Sequence, residues 1–133
     1  VLSACQSCSS LKELSLKCEG EMTDNWSGIC RLLQKTPALA CLNITVGHYR
    51  YRDNVSTEKL ASFAEAMKEN KTLKRFTFDS AGPKQAVDVA PLTHVLKEDN
   101  YTLEALDLLP HLGLHTTDLD FYLSLNKAGR AKL

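Results

Sequence analysis

What this chain of 133 residues most plainly lacks is an excess of either charge: 16 Lys+Arg stand against 16 Asp+Glu, and the formal net charge is zero. Affinity for nucleic acid draws on a dense surplus of Lys and Arg, so that class of partner is not expected. The same balance removes the polybasic route to anionic membranes. There is no uninterrupted apolar run near the roughly 20 residues that span a bilayer, so membrane insertion is not expected either. Cysteine stops at Cys41: Cys5, Cys8, Cys18, Cys30 and Cys41 are an odd number confined to the first third. A secreted disulfide framework spreads an even number through a shorter chain. These five read as reduced, small core residues, which favours an intracellular, cytoplasmic setting. Glycine-rich phosphate loops and the H-E-x-x-H spacing are missing, and no Ser, Cys or His stands in a nucleophile motif. The expectation is a protein that is not an enzyme and uses no cofactor or metal. The chain opens at Val1 without a signal-peptide pattern, as a processed or partial chain would.

What is present is ordinary globular material, 44% hydrophobic and 24% charged, enough for one domain with a core. Its organisation comes from self-comparison. Four segments share the spacing L-x-x-L-x-L: Leu11, Leu14, Leu16; Leu39, Leu42, Ile44; Leu73, Phe76, Phe78; and Leu103, Leu106, Leu108. The first positions are 28, 34 and 30 residues apart. Ahead of three of these segments stand polar, turn-forming runs: Lys35-Thr36-Pro37-Ala38, Glu69-Asn70-Lys71-Thr72 and Glu98 to Thr102. Ahead of those runs, apolar residues recur at helical spacing: Ile29, Leu32, Leu33; Leu60, Phe63, Ala64, Met67; and Val89, Leu92, Val95, Leu96. Thr57 marks one helix start. Asp88 suits the cap of the next, with Pro91 tolerated in its first turn.

Each unit therefore reads as strand, loop and helix, and the units resemble the long, ribonuclease-inhibitor-like repeats of the leucine-rich-repeat family over residues 1–133. The resemblance implies an α/β, right-handed solenoid, with parallel strands on the concave face and helices on the convex face. It also implies a C-terminal part of a larger protein. The family often places Asn or Cys at the ninth position of its motif; here Glu19, Gly47, Ala81 and His111 stand there, so that ladder is not expected. Residues 1–10 resemble the end of a helix from a preceding repeat. Residues 116–133, with Leu119, Phe121, Tyr122, Leu123 and Leu125, suit a C-terminal cap.

Several smaller features have two readings each. Cys5-Gln6-Ser7-Cys8 has the C-x-x-C form of a redox or zinc half-site, but the register places Cys5 at a core position like that of Met67. His111 and His115 are four apart, yet Pro110 and Gly113 put them in a loop. Five of the six asparagines, Asn25, Asn43, Asn54, Asn70 and Asn100, lie in N-x-S/T sequons. These fit either glycosylation of a secreted or surface recognition protein, or, for Asn70 and Asn100, a recurring turn.

Solenoids of this family serve recognition and scaffolding, which implies protein partners, or a place as a structural subunit of a larger complex. The candidate partner-binding positions are the outward-facing strand residues Glu13, Lys17, Arg75, Asp79 and Asp107. To these is added the insertion Tyr49, Arg50, Tyr51 and Arg52, since Tyr and Arg dominate interface hot spots and insertions in solenoids form edge loops.

Overall fold

The computed structural model describes residues 10–18, 23–46, 56–80, 85–109, 111–112 and 117–130. The elements run β1 (Glu13–Cys18), α1 (Thr23–Lys35), β2 (Cys41–Val46), α2 (Thr57–Glu69), β3 (Arg75–Ser80), β4 (Gln85–Ala86), α3 (Ala90–Glu98), β5 (Ala105–Leu109), β6 (His111–Leu112) and α4 (Thr117–Lys127). Four strands form one parallel sheet in the order β1-β2-β3-β5, which is also their order along the chain. A helix lies between each strand and the next, and the helices pack in the same succession, α1 on α2, α2 on α3 and α3 on α4. The architecture is mixed α/β, with parallel strands and helices in regular alternation.

The register joins equivalent positions of the repeat. Leu14 lies opposite Leu42, Leu42 opposite Phe76, and Phe76 opposite Leu106. A row further on, Leu16, Ile44, Phe78 and Leu108 align in the same way. Alternation along a strand then sends one set of side chains to the core and the other to solvent. Leu39, Leu42, Ile44, Leu73, Phe76, Phe78, Leu103, Leu106 and Leu108 are all buried, with Ile29, Leu32, Leu33, Leu60, Phe63, Met67, Leu92, Val95 and Leu96 from the helices in one cluster. Each such leucine contributes roughly 1.5–3 kcal/mol through the water it sheds. Trp26 sits at the centre, edge-on to Phe76 and Phe78, and its Nε1 donates to the Lys59 carbonyl at 2.9 Å. Leu11, Leu14 and Leu16 are only half-buried, because β1 is an edge strand of the sheet.

Helix starts follow local chemistry. Ser56, one residue ahead of the expected Thr57, caps α2 by accepting from the Lys59 amide. Asp88 accepts from the Ala90 amide at 3.0 Å as α3 begins, and Pro91 occupies its first turn. The expected loop at His111 is instead partly a strand: His111 and Leu112 pair in parallel with Gln85 and Ala86. The cause is the repeat itself, which brings the segments after β3 and β5 side by side. In α4, Leu119 and Leu123 are buried as expected of a covering helix, whereas Phe121 points to solvent, 55% exposed. The stretch Val1, Leu2, Cys5, Cys8 lies outside the described residues, as does Glu19.

Candidate interaction surface

The outward face of the sheet is a grid set by the strand register. One row reads Glu13, Cys41, Arg75, Ala105; the next reads Ser15, Asn43, Thr77, Asp107; a third begins Lys17, Thr45, Asp79. Glu13, Lys17, Arg75, Asp79 and Asp107 are all exposed on it, so the strands assemble five of the sequence-predicted positions on one surface. Neighbouring strands are about 4.8 Å apart, so Glu13 and Arg75, two strands apart, stand roughly 10 Å from one another. Lys17 and Asp79 are separated in the same way. At that spacing water and salt screen most of the attraction. Among the described residues the ion pairs, Glu65–Lys68 and Lys97–Glu98, lie on helices and not on this face. Glu13 and Arg75 are therefore held apart by Cys41, and Lys17 and Asp79 by Thr45, while Asp107 lies diagonally beside Arg75 on the adjacent strand without an ion pair between them.

The polar residues between them are partly tied down. Asn43 donates its Nδ2 to Ser15 Oγ at 3.4 Å and Cys41 Sγ at 3.6 Å. A rigid floor carrying spaced charges can discriminate a partner by charge pattern without rearranging. Tyr49, Arg50, Tyr51 and Arg52 lie outside the described residues.

A second constellation, not anticipated as a unit from the sequence, runs along the turns that precede the strands. Asn70 and Asn100 are buried, 4% and 0% exposed. Asn70 Nδ2 donates to the Leu33 carbonyl at 2.7 Å, while its Oδ1 accepts from the amides of Thr72 and Leu73. Asn100 repeats this one unit later: Nδ2 donates to the carbonyls of Met67 and Asn70, both at 2.8 Å, and Oδ1 accepts from Thr102 and Leu103. Asn126, at the end of α4, donates to the carbonyls of Asn100 and Leu103. The result is an asparagine ladder linking successive units, at a place other than the ninth motif position. Its one sequence signal is the recurrence of Asn-Lys-Thr-Leu and Asn-Tyr-Thr-Leu. Thr36 fills the corresponding place ahead of Leu39, and its buried Oγ1 has no hydrogen-bond partner.

At the α4 end, the Arg130 guanidinium lies over the Tyr101 ring, 4.1 Å from its centroid, and over the Tyr122 ring at 5.6 Å. It donates to the carbonyls of Leu96 and Asn100. Between α3 and α4 a groove of about 500 Å³ is lined by Asp88, Thr93, His94, Lys97, Asp118 and Tyr122 among others. Among the described residues no group of three or more His, Cys, Asp and Glu is arranged to hold a metal ion. Among them, too, no helix is long and apolar enough to cross a membrane. Cys30 is buried, and burial pushes its thiol up to about 11; Cys41 is half-buried, and both are free.

No protein-family model matches the chain, and no curated protein sequence matches it. Among solved structures it is similar to leiomodin-1 actin-binding site 2, with a TM-score of 0.65 and 15% sequence identity. That likeness covers 98% of this chain and 72% of the other. At this identity the likeness speaks for the fold.

Proposed function

We propose that this chain is a segment of a leucine-rich-repeat protein that binds another protein and catalyses nothing. It forms one right-handed solenoid domain over residues 1–133, with repeats starting near Leu11, Leu39, Leu73 and Leu103, and with 116–133 as its C-terminal cap. The observation that carries the reading is the sheet face, where Glu13, Lys17, Arg75, Asp79 and Asp107 stand exposed on a rigid grid without ion-pair partners among the described residues. Exposed charges of both signs suit a protein surface of complementary pattern, and suit a uniformly charged polymer poorly. A similar solved fold is described as an actin-binding site, which supports the class of role and assigns no partner here. The insertion Tyr49 to Arg52, outside the described residues, is included in the reading for its aromatic and guanidinium side chains, the types that dominate interface hot spots. The setting is intracellular, and the chain takes its place in a larger complex.

The test starts from affinity capture of the full chain from its native source, with intact mass measured on the same material. A defined set of co-purifying proteins and no glycan mass are expected. The captured partner is then titrated against R75E/D79K and against Y49A/Y51A. Both variants should keep the wild-type melting temperature to within a few degrees while binding at least tenfold more weakly. Wild-type affinity in both would remove the sheet face and its loop from the reading.

A further inference from the structure

Four charged residues frame the sheet face, and their signs alternate in both directions. Across the strands, Glu13 on β1 shares a row with Arg75 on β3, with Cys41 of β2 between them. Further along, Lys17 on β1 shares a row with Asp79 on β3, with Thr45 between. The sign therefore reverses from Glu13 to Lys17 along β1, and from Arg75 to Asp79 along β3. The corners of this frame are about 10 Å apart across the strands and about 13 Å apart along them. All four residues are exposed, and none is in an ion pair among the described residues. Between them lie the short side chains of Ser15, Cys41, Asn43, Thr45 and Thr77, which leave the corner charges unobstructed.

An alternating frame has a property that a patch of one sign lacks, which is that it complements itself. A second copy, turned by 180° about an axis parallel to β2 and laid face to face on the first, sets β2 over β2 and β1 over β3. Glu13 then meets Arg75 of the other copy, and Lys17 meets Asp79 of the other copy. Every corner faces the opposite sign, as an isologous twofold interface requires. Stacked sheets lie about 10 Å apart, a gap that such pairs of side chains bridge.

An axis in the plane of the sheet but across the strands also matches the corners, Glu13 with Lys17 and Arg75 with Asp79. It lays β5 on β5, however, and sets Asp107 against Asp107, because Asp107 lies in the middle row with Ser15, Asn43 and Thr77. Like charges so placed are disfavoured. The axis along β2 keeps Asp107 away from its own copy.

We propose that the sheet face takes a second copy of this chain, in a twofold dimer whose axis runs along β2. The frame is small beside the roughly 1,000 Å² that a stable interface buries, so the dimer is weak, with a dissociation constant on the order of 100 µM. The chain is monomeric when dilute. The proposal rests on the reading of this face as an interaction surface and adds its regulation: self-association covers Glu13, Lys17, Arg75 and Asp79, so a foreign partner binds only the monomer.

Sedimentation equilibrium of the full chain, from micromolar to millimolar concentration at low and high salt, tests it. Dimer should accumulate towards the millimolar end and weaken at least fivefold at high salt. R75E/D79K opposes like charges at every corner about this axis and should stay monomeric, as should E13K/K17E. Mixed in equal amounts the two should dimerise, because each carries the signs that the other needs. The fourfold variant E13K/K17E/R75E/D79K restores the alternation and should dimerise alone, and thermal melts check that every variant is folded. Self-association unchanged in R75E/D79K, a mixture that stays monomeric, or a wild type still monomeric at millimolar concentration would each overturn the proposal. The last of these, with a captured partner lost on R75E/D79K, would leave the face to the foreign protein. Dimerisation as expected, with a captured partner indifferent to R75E/D79K, would keep the dimer and remove only the foreign partner from this face.

Discussion

Asn100 donates its side-chain amide to the backbone carbonyl of Asn70 at 2.8 Å, while its own carbonyl accepts from the amide of Asn126, so each ladder residue holds the backbone of the one before it. These are completely buried hydrogen bonds between units, and they fix the spacing of the turns from which the strands start. Replacing Asn100 with Ala removes two of them, along with three bonds its Oδ1 accepts within its own turn, and leaves the Met67 and Asn70 carbonyls unanswered. A loss of about 2–4 kcal/mol is expected, read from the midpoint of urea denaturation. Thr36→Asn tests the same rule in the other direction, since Thr36 has an unpartnered hydroxyl at the equivalent place. That variant should be neutral or slightly stabilising.

The same burial bears on the sequons. The Nδ2 atoms of Asn70 and Asn100 are the atoms a glycan would occupy, and both are inside and donating. Chains routed through a secretory host should therefore yield folded, monomeric protein with no glycan at either asparagine. Site-resolved mass spectrometry reads this directly; occupancy at Asn100 in folded material would contradict the ladder.

Leu42→Asp and Leu106→Asp should each unfold the domain. Both leucines are buried at the centre of the core rows, and a carboxylate there has no partner for its charge. Circular dichroism and amide spectra report the outcome. A folded variant of either kind would mean that the register is wrong.

Cys30 offers a pH test. Burial holds its thiol up to about 11, above the ordinary value of 9.0. The unfolded chain loses this proton first, so it binds fewer protons than the native chain between about pH 9 and 11. The neutral thiol's contribution to stability is complete below pH 9 and is lost as pH rises through that window. The stability gap between the wild type and Cys30→Ala should shrink from pH 8 to pH 10.5. At pH 8, alkylation followed by peptide mapping should label half-buried Cys41 well before Cys30.

Arg130 joins the segment just after α4 to α3 through the carbonyl of Leu96, and to the Asn100 turn through Tyr101 and Asn100. Arg130→Ala should weaken protection of the α4 amides against hydrogen exchange by roughly tenfold to a hundredfold, consistent with about 1–3 kcal/mol for a stacked, bonded guanidinium. Arg130→Lys should not restore it, because an ammonium lacks the planar fork.

How far the sequence reached depends on how far apart the interacting groups lie along it. The alternation around Leu42, Phe76 and Leu106 settles by itself which side of each strand is buried. The reason is that side-chain direction along a strand is a property of adjacent residues. The helical spacing of Leu60, Phe63, Ala64 and Met67 is local in the same sense, and so is the Ser56 cap. From these the sequence by itself determined the alternation of strands and helices, and it named Glu13, Lys17, Arg75, Asp79 and Asp107 as one surface. The expectations about Tyr49 to Arg52 fall outside the described residues.

What only the tertiary structure decided are contacts made a whole repeat away. Asn70 and Asn100 look like turn residues until Leu33, Met67 and each other come within bonding distance, 30 to 37 residues distant along the chain. The pairing of Gln85–Ala86 with His111–Leu112 has the same origin, as does the half-burial of Leu14 and Leu16 at an edge. The burial of Asn126 beside the Asn100 and Leu103 carbonyls has no sequence signature of its own, because it too depends on groups 23 to 26 residues away. Periodicity is written in neighbouring residues; a partner one unit away is chosen by packing.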